Sequence, residues 1–251
     1  NDELIDEIYS YRDERTLSVI DEVSSIVSEQ KAYEVTGIQK QVFNTIYQLY
    51  CDKKSGKLAK AKTFLMMPDY LHFLLTGVKK NEFTNASTTG MLNAKSREWD
   101  SDIIEKLGFN KELFKPLSQP ETLVGALKSE IAEIVGFDCN VYLPATHDTA
   151  SAVMAVPNAD FPLYISSGTW SLMGIEVDKA DASEVSYKNN FTNEGCYGGR
   201  VRYLKNIMGL WIIQSVRHNL DDKYSFAEIC ADAAANADFP SRIDVNDDLF
   251  M

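Results

Sequence analysis

Cysteine is scarce in the sequence, and the few cysteines are scattered. Only four occur among 251 residues, at Cys51, Cys139, Cys196 and Cys230, and no two of them form a C-x-x-C spacing. Zinc sites and disulfide-stapled folds need clustered or paired cysteines, so the pattern argues against both. We therefore expect reduced thiols in a cytoplasmic protein, and no metal ligands among the side chains.

Long apolar runs are missing as well. No stretch approaches the roughly 18 residues that cross a bilayer, and the chain opens on Asn1 without a signal or transit pattern. The net charge of −12 repels phosphate backbones and anionic lipid surfaces. We expect neither a nucleic-acid nor a membrane partner. A small anionic ligand remains compatible, because a pocket can differ from the overall field.

Several common catalytic motifs are absent too. The sequence holds no G-x-x-x-x-G-K-[ST], G-x-G-x-x-G, G-x-S-x-G or H-E-x-x-H. This argues against a phosphate-loop enzyme, a dinucleotide fold, a serine hydrolase of the nucleophile-elbow type and a zinc protease. What remains is an ordinary globular composition, with 45% hydrophobic and 25% charged residues, and a length that suits one or two domains.

The pattern of hydrophobic residues in the sequence changes near residue 139. Before it, apolar residues recur at helical spacing, as in residues 4–9, 19–26 and 42–50. After it, residues 140–144, 161–167 and 170–175 read as strands, the last two joined by a Gly168-Thr169 hairpin. A glycine-rich strand pair at 191–201 and helices at 206–218 and 226–235 complete the prediction. We place a domain boundary here, giving domains 1–138 and 139–251.

Three features of the second half could carry chemistry. His147-Asp148 follows a strand and opens a helix, where a carboxylate can accept a hydroxyl proton or merely cap the helix. The turn that ends in Thr169 can cradle a phosphate or be a plain hairpin. Asn206 and Gln214 would lie two turns apart on the helix predicted for 206–218, facing a ligand or only solvent.

Together these features resemble the FGGY superfamily of carbohydrate kinases, and in particular its branch that phosphorylates L-rhamnulose. Each run of residues is short, but eight occur in the family's order, and they cover nearly the whole chain. The runs are YRDERT (11–16), TGIQ (36–39), FNTIYQL (43–49), MPDYLHFLLTG (67–77), NASTTGMLN (85–93), HDTASAV with YISSGTWSLMG (147–174), NFTNEG (190–195) and LKNIMGLWIIQ (204–214).

The resemblance implies an α/β fold of the ribonuclease-H/actin-like type, as in a two-domain sugar kinase. Residues 1–138 would be the mainly helical part of the first domain, and residues 139–251 the first part of the second. The implied reaction transfers the γ-phosphoryl group of ATP, with magnesium, to O1 of L-rhamnulose. Its implied partners are therefore a small-molecule sugar and ATP.

Site residues follow from the same resemblance, position by position. Asp148 matches the family's catalytic base, which takes the proton of the sugar hydroxyl. His147, Asp148 and Thr149 fall on sugar-binding positions. The nucleotide-binding positions fall on Thr169, Asn206 and Gln214.

The sequence also departs from the family. The D-I-G-A-S-S-like phosphate hairpin, the D-T-W-G-V-D-like strand and the later glycine-rich adenosine motif are not present. We therefore expect a piece that is weakly active or inactive alone, with open sheet edges that promote self-association. Two alternatives stay open: a kinase for another sugar, such as L-fuculose or L-xylulose, and a non-catalytic sugar- or nucleotide-binding module.

Overall fold

The computed structural model describes residues 2–11, 13–157, 163–168 and 170–243. The chain divides into two compact units, each built from two stretches of sequence. Asn1–Pro162 and Ile175–Leu204 form the first, and Leu163–Gly174 and Lys205–Met251 form the second. The boundary predicted between residues 138 and 139 lies inside the first unit; as a boundary between family domains it stays a prediction.

Short helices make up most of the first unit. Their bounds are α1 (Ile20–Ile26), α2 (Glu29–Thr36), α3 (Thr45–Lys54), α4 (Met67–Thr76), α5 (Phe83–Ala86), α6 (Ser101–Lys106), α7 (Ser129–Val135), α8 (Asp148–Met154) and α9 (Glu184–Lys188). The helical periodicity of residues 4–9 does not become a helix, and that prediction is wrong. Its apolar side chains stay exposed, and a short helix without a packing surface is not stable in water.

The core of the first unit lies between the apolar faces of α1, α3 and α6. Burial of these faces is the main driving force for their packing, at about 25 cal/mol per Å² of apolar surface. Residues with little or no exposure include Val19, Val23, Ile46, Leu49, Met91, Ile103, Ile104 and Leu107.

The first unit also contains two small strand pairs. In the first, β1 (Asn81–Glu82) runs parallel to β2 (Leu117–Ser118). In the second, β3 (Leu123–Ala126) runs antiparallel to β4 (Asn140–Tyr142), with a register shift between Leu123 and Gly125. The strand predicted at 140–144 is thus confirmed as β4.

The remaining strands follow the order β5-β6-β8-β7. They are β5 (Tyr164–Ser167), β6 (Trp170–Val177), β7 (Phe191–Gly195) and β8 (Val201–Met208). β5 and β6 are antiparallel, in register from Tyr164–Gly174 to Ser167–Ser171, which confirms the predicted hairpin. β6 and β8 each contribute residues to both units.

The second unit ends in two helices, and the start of the first one corrects the sequence prediction. These helices are α10 (Trp211–Asn219) and α11 (Phe226–Ala235). Asn206 lies on β8 and not on a helix, so Asn206 and Gln214 do not share a helix face. A Cβ on Gly209 would lie 2.6 Å from the Gly168 carbonyl oxygen. Only glycine fits at this close approach, and pairing of β8 in the sheet overrides the local helical periodicity as far as Met208.

None of the helices in the described ranges has the length and apolar character to span a membrane.

Candidate active site

Three of the predicted site residues, His147, Asp148 and Thr149, lie together where α8 begins. The chain leaves β4, passes Pro144 and reaches His147, which has an extended backbone and occupies the N-cap position of α8. Asp148 is the first residue of the helix, so the alternative of Asp148 as the N-cap is not found, and His147 makes no side-chain capping bond. All three residues belong to the first unit.

Asp148 presents its carboxylate to solvent. Its side chain is 99% exposed. Oδ1 accepts hydrogen bonds from the Thr149 amide at 2.6 Å and from the Thr149 hydroxyl at 3.4 Å. Oδ2 accepts no hydrogen bond from any described residue, and a free carboxylate oxygen can receive a proton from a bound hydroxyl group. The Thr149 side chain is itself buried and supports Asp148.

His147 lies between two carboxylates without hydrogen-bonding either. Its Nδ1 is 3.6 Å from Asp148 Oδ1, its Nε2 is 3.7 Å from Glu194 Oε2, and its side chain is 23% exposed. Burial, assisted by the positive charge of Arg202, lowers the pKa of His147 below its ordinary 6.5, while Glu194 and Asp148 oppose the shift. The imidazole is therefore neutral at pH 7, and its buried Nδ1 has no partner among the described residues.

A buried ion pair behind His147 was not foreseen from the sequence. Arg202 on β8 has no exposed side-chain surface, and its Nη2 lies 2.9 Å from Oε2 of Glu194 on β7. This approach lacks hydrogen-bond geometry, so we describe it as an ion pair only. The Arg202 Nε donates to the Gly195 carbonyl oxygen at 3.3 Å. The available signal was an arginine flanked by Val201, Tyr203 and Leu204, directly after the strand pair predicted at 191–201.

Glu82 is a second residue that sequence reasoning missed. It is fully buried directly before α5. Its Oε2 accepts hydrogen bonds from the Thr146 amide at 3.1 Å and from the Thr146 hydroxyl at 2.6 Å. The available signal was an acidic residue three positions before the run NASTTGMLN (85–93).

The predicted nucleotide-binding residues are not brought together in one element. Asn206 is on β8 and Gln214 on α10, both within the second unit. Thr169 lies outside the described residues. The nucleotide roles of these three residues stay predictions.

Magnesium has no ready-made site in the described part of the chain. No group of three or more His, Cys, Asp and Glu side chains there could hold a metal ion. Asp148 is a single exposed carboxylate, and the neighbouring Glu194 is engaged with Arg202. The described residues do not fit a protein-bound metal.

Comparison with known proteins assigns this arrangement to a family. The family model described as "FGGY family of carbohydrate kinases, N-terminal domain" matches residues 1–155. The chain is 51% identical to the rhamnulokinase of Halalkalibacterium halodurans over 253 aligned residues, which cover 100% of this chain and 54% of that protein. It is 50% identical to the rhamnulokinase of Oceanobacillus iheyensis, with the same coverage. The chain thus spans about half the length of these relatives.

Solved structures of sugar kinases share the fold. A ligand-bound xylulose kinase from Lactobacillus acidophilus superimposes with a TM-score of 0.74 at 22% identity, covering 86% of this chain and 44% of that one. Glycerol kinase of Plasmodium falciparum with ADP superimposes with a TM-score of 0.71 at 15% identity, covering 89% of this chain and 47% of that one. The predicted α/β fold of the actin-like sugar kinases is therefore confirmed. On the evidence of its sequence and its fold, the chain belongs to the FGGY family of carbohydrate kinases.

Proposed function

We propose that the chain serves ATP-dependent phosphorylation of L-rhamnulose to L-rhamnulose 1-phosphate. The observation that carries this proposal is the match, over the whole chain, to rhamnulokinases at 50–51% identity. The family membership narrows the reaction to sugar phosphorylation, and the relatives' names supply the sugar. Cytoplasmic location and self-association stay predictions.

Asp148 is the proposed general base. Its exposed carboxylate keeps Oδ2 free of described partners, while Thr149 holds Oδ1. In the proposed step, Oδ2 takes the O1 proton of the sugar while O1 bonds to the γ-phosphorus and the bond from that phosphorus to ADP breaks. Phosphoryl transfer depends mainly on positioning and electrostatics, so one well-placed base is the main chemical contribution expected from this unit.

His147 is proposed to bind the sugar beside the base. Its imidazole is neutral and has one partly accessible edge, so it can exchange hydrogen bonds with sugar hydroxyl groups without bringing a second charge next to Asp148. Thr149 would act through its bond to Asp148, since its own side chain is buried.

ATP with magnesium is the proposed phosphoryl donor. Members of this family are carbohydrate kinases, and Thr169, Asn206 and Gln214 match their nucleotide positions by resemblance. Magnesium would supply charge neutralisation on the phosphates.

The test uses a hybrid kinase in which residues 1–251 replace the matching segment of the H. halodurans rhamnulokinase. ADP release is measured with L-rhamnulose, L-fuculose and L-xylulose in separate assays. We expect turnover with a preference for L-rhamnulose. In the Asp148→Asn variant, kcat should fall by roughly 10²–10⁴-fold with little change in sugar affinity. Asp138→Asn removes an exposed carboxylate elsewhere in the same unit and should leave kcat unchanged.

Each other outcome has a distinct meaning. A higher kcat/KM for L-fuculose or L-xylulose would reassign the sugar. Sugar binding without ADP release would support the non-catalytic module. Activity of Asp148→Asn within about tenfold of the unmodified hybrid would refute the role of Asp148 as the base.

A further inference from the structure

Glu82 is a buried carboxylate whose hydrogen bonds join its own helix start to a segment far away in the sequence. Its Oε1 accepts from the Thr84 amide at 2.8 Å, and its Oε2 accepts from the Thr84 hydroxyl at 2.6 Å and the Asn85 amide at 3.1 Å. The two amide bonds cap α5. The two bonds to the amide and hydroxyl of Thr146 reach a residue 64 positions away, and capping does not explain them.

The same group of residues also holds the backbone of His147. The Thr84 hydroxyl donates to Glu82 and accepts from the His147 amide at 3.2 Å. The Thr146 amide therefore donates directly to Glu82, and the next amide, that of His147, is held through the Thr84 hydroxyl. They are the last two backbone donors before Asp148, so their bonds fix where α8 begins and from where Asp148 projects.

The chemistry of this position requires a carboxylate. All five groups that converge on Glu82 are donors, and an ionised carboxylate only accepts. In either orientation a glutamine would turn its NH₂ group towards at least one donor, which is the Thr84 amide where the NH₂ takes the place of Oε1, and its neutral oxygen would bind the Thr146 donors less strongly than a carboxylate does. Glu82 has no ion-pair partner among the described residues, so hydrogen bonds stabilise this buried carboxylate.

We propose that Glu82 is a positioning residue, whose carboxylate holds the backbone at Thr146 and His147 so that His147 and Asp148 face the sugar together. This proposal takes the identity of the sugar from the proposed function. The fixing of the backbone by Glu82 does not depend on that function. Small displacements of reacting groups are costly in enzymes, and a base placed on a supported backbone retains its geometry.

The experiment compares Glu82→Gln with the unmodified 251-residue chain. Hydrogen exchange at the Thr146 and His147 amides is measured by NMR, and L-rhamnulose affinity by calorimetry. We expect exchange at both amides to accelerate by at least about tenfold and the Kd for L-rhamnulose to weaken by about tenfold or more. Asp100→Asn is the matched control, because Asp100 caps α6 by accepting from the Ile103 amide at 2.9 Å and lies outside this cluster.

A second pair of variants separates positioning from a general loss of stability. Thr146→Val removes the hydroxyl that donates to Glu82, whereas Thr146→Ser retains it. We expect Thr146→Val to reproduce the faster His147 exchange and the weaker L-rhamnulose binding, and Thr146→Ser to restore both to within about threefold of the unmodified chain. Exchange at the Ile103 amide, which lies outside this cluster, should stay unchanged in both variants, whereas a general loss of stability would accelerate it as well.

The outcomes divide clearly. Unchanged exchange at both amides in Glu82→Gln, or equal acceleration in Asp100→Asn, would overturn the proposal. Accelerated exchange with an unchanged Kd would also overturn it, because fixing the backbone would then have no effect on the sugar. If the unmodified chain does not bind L-rhamnulose, the affinities are measured in the hybrid kinase; if that does not bind the sugar either, the proposed function fails, and exchange in the two Thr146 variants still decides whether Glu82 fixes the Thr146 and His147 amides.

Discussion

Replacing Arg202 and replacing Glu194, the two members of one ion pair, should shift the pKa of His147 in opposite directions. Burial is the main reason why this pKa lies below 6.5; Arg202 lowers it further, and Glu194 raises it. Arg202→Met should therefore raise the pKa of His147. Glu194→Gln should lower it. Opposite signs from two substitutions in one ion pair are difficult to obtain from general loosening of the structure.

The separation of the charges sets the size of the shift. Glu194 Oε2 is 3.7 Å from His147 Nε2. At an effective dielectric constant near 20, two unit charges at this distance interact by about 4 kcal/mol, which is about three pKa units and an upper bound. Rearrangement and water entry reduce this value, so we expect Glu194→Gln to lower the pKa of His147 by about one to three units, and Arg202→Met to raise it.

The same substitutions should change stability. Arg202 is fully buried, and removing one partner of a buried ion pair costs about 3–5 kcal/mol of unfolding free energy. The double variant Glu194→Gln/Arg202→Met leaves no unpaired charge and should recover most of this loss. Because the pKa of His147 is lower in the folded chain, the unfolded chain takes up this proton first. His147 should thus lower stability as the pH falls below about 6.5.

NMR titration of the imidazole protons measures the pKa directly. The sequence has three histidines, so His72 and His218 serve as internal references in each variant. Urea unfolding of the two single variants and the double variant completes a double-mutant cycle. Shifts of the same sign in both single variants, or shifts below about 0.3 units in both, would refute the electrostatic reasoning.

Two further predictions concern the packing of the first unit. Gly37 has a φ of +66°, and an added Cβ would lie 2.9 Å from Asn193 Nδ2, so Gly37→Ala should cost about 2–4 kcal/mol in urea unfolding. Gly56 has a φ of +78° with nothing near its Cβ position, so Gly56→Ala should cost only about 1–2 kcal/mol. Equal costs for the two substitutions would contradict the clash inferred at Gly37. Burial raises the pKa of Asp69 to about 6, so its contribution to stability should grow as the pH falls from about 6 to 4, and a carboxyl ¹³C titration midpoint below about 4 would contradict this.

The sequence was informative where local pattern decides the structure. Residue type and spacing alone predict strand β4 with the helix start at Asp148, the β5–β6 hairpin and helix α11. The quoted runs of residues led to the family, because several weak matches in the right order are specific together.

Contacts between distant residues could not be read from the sequence in the same way. Glu82 meets Thr146 across 64 positions, and Glu194 meets Arg202 across a strand pair, so no local spacing signals either contact. Asn206 was placed on a helix because its neighbours have helical periodicity, but sheet pairing keeps β8 extended as far as Met208. Local periodicity predicts an element only where long-range pairing does not compete with it.

A crystal structure of the chain with L-rhamnulose bound would test the role of Asp148 most directly. We expect the O1 hydroxyl of the sugar within about 2.6–3.2 Å of Asp148 Oδ2, with His147 on a neighbouring hydroxyl group. L-rhamnulose bound away from His147 and Asp148, or bound there with O1 turned from the carboxylate, would contradict the proposed base and the proposed reaction.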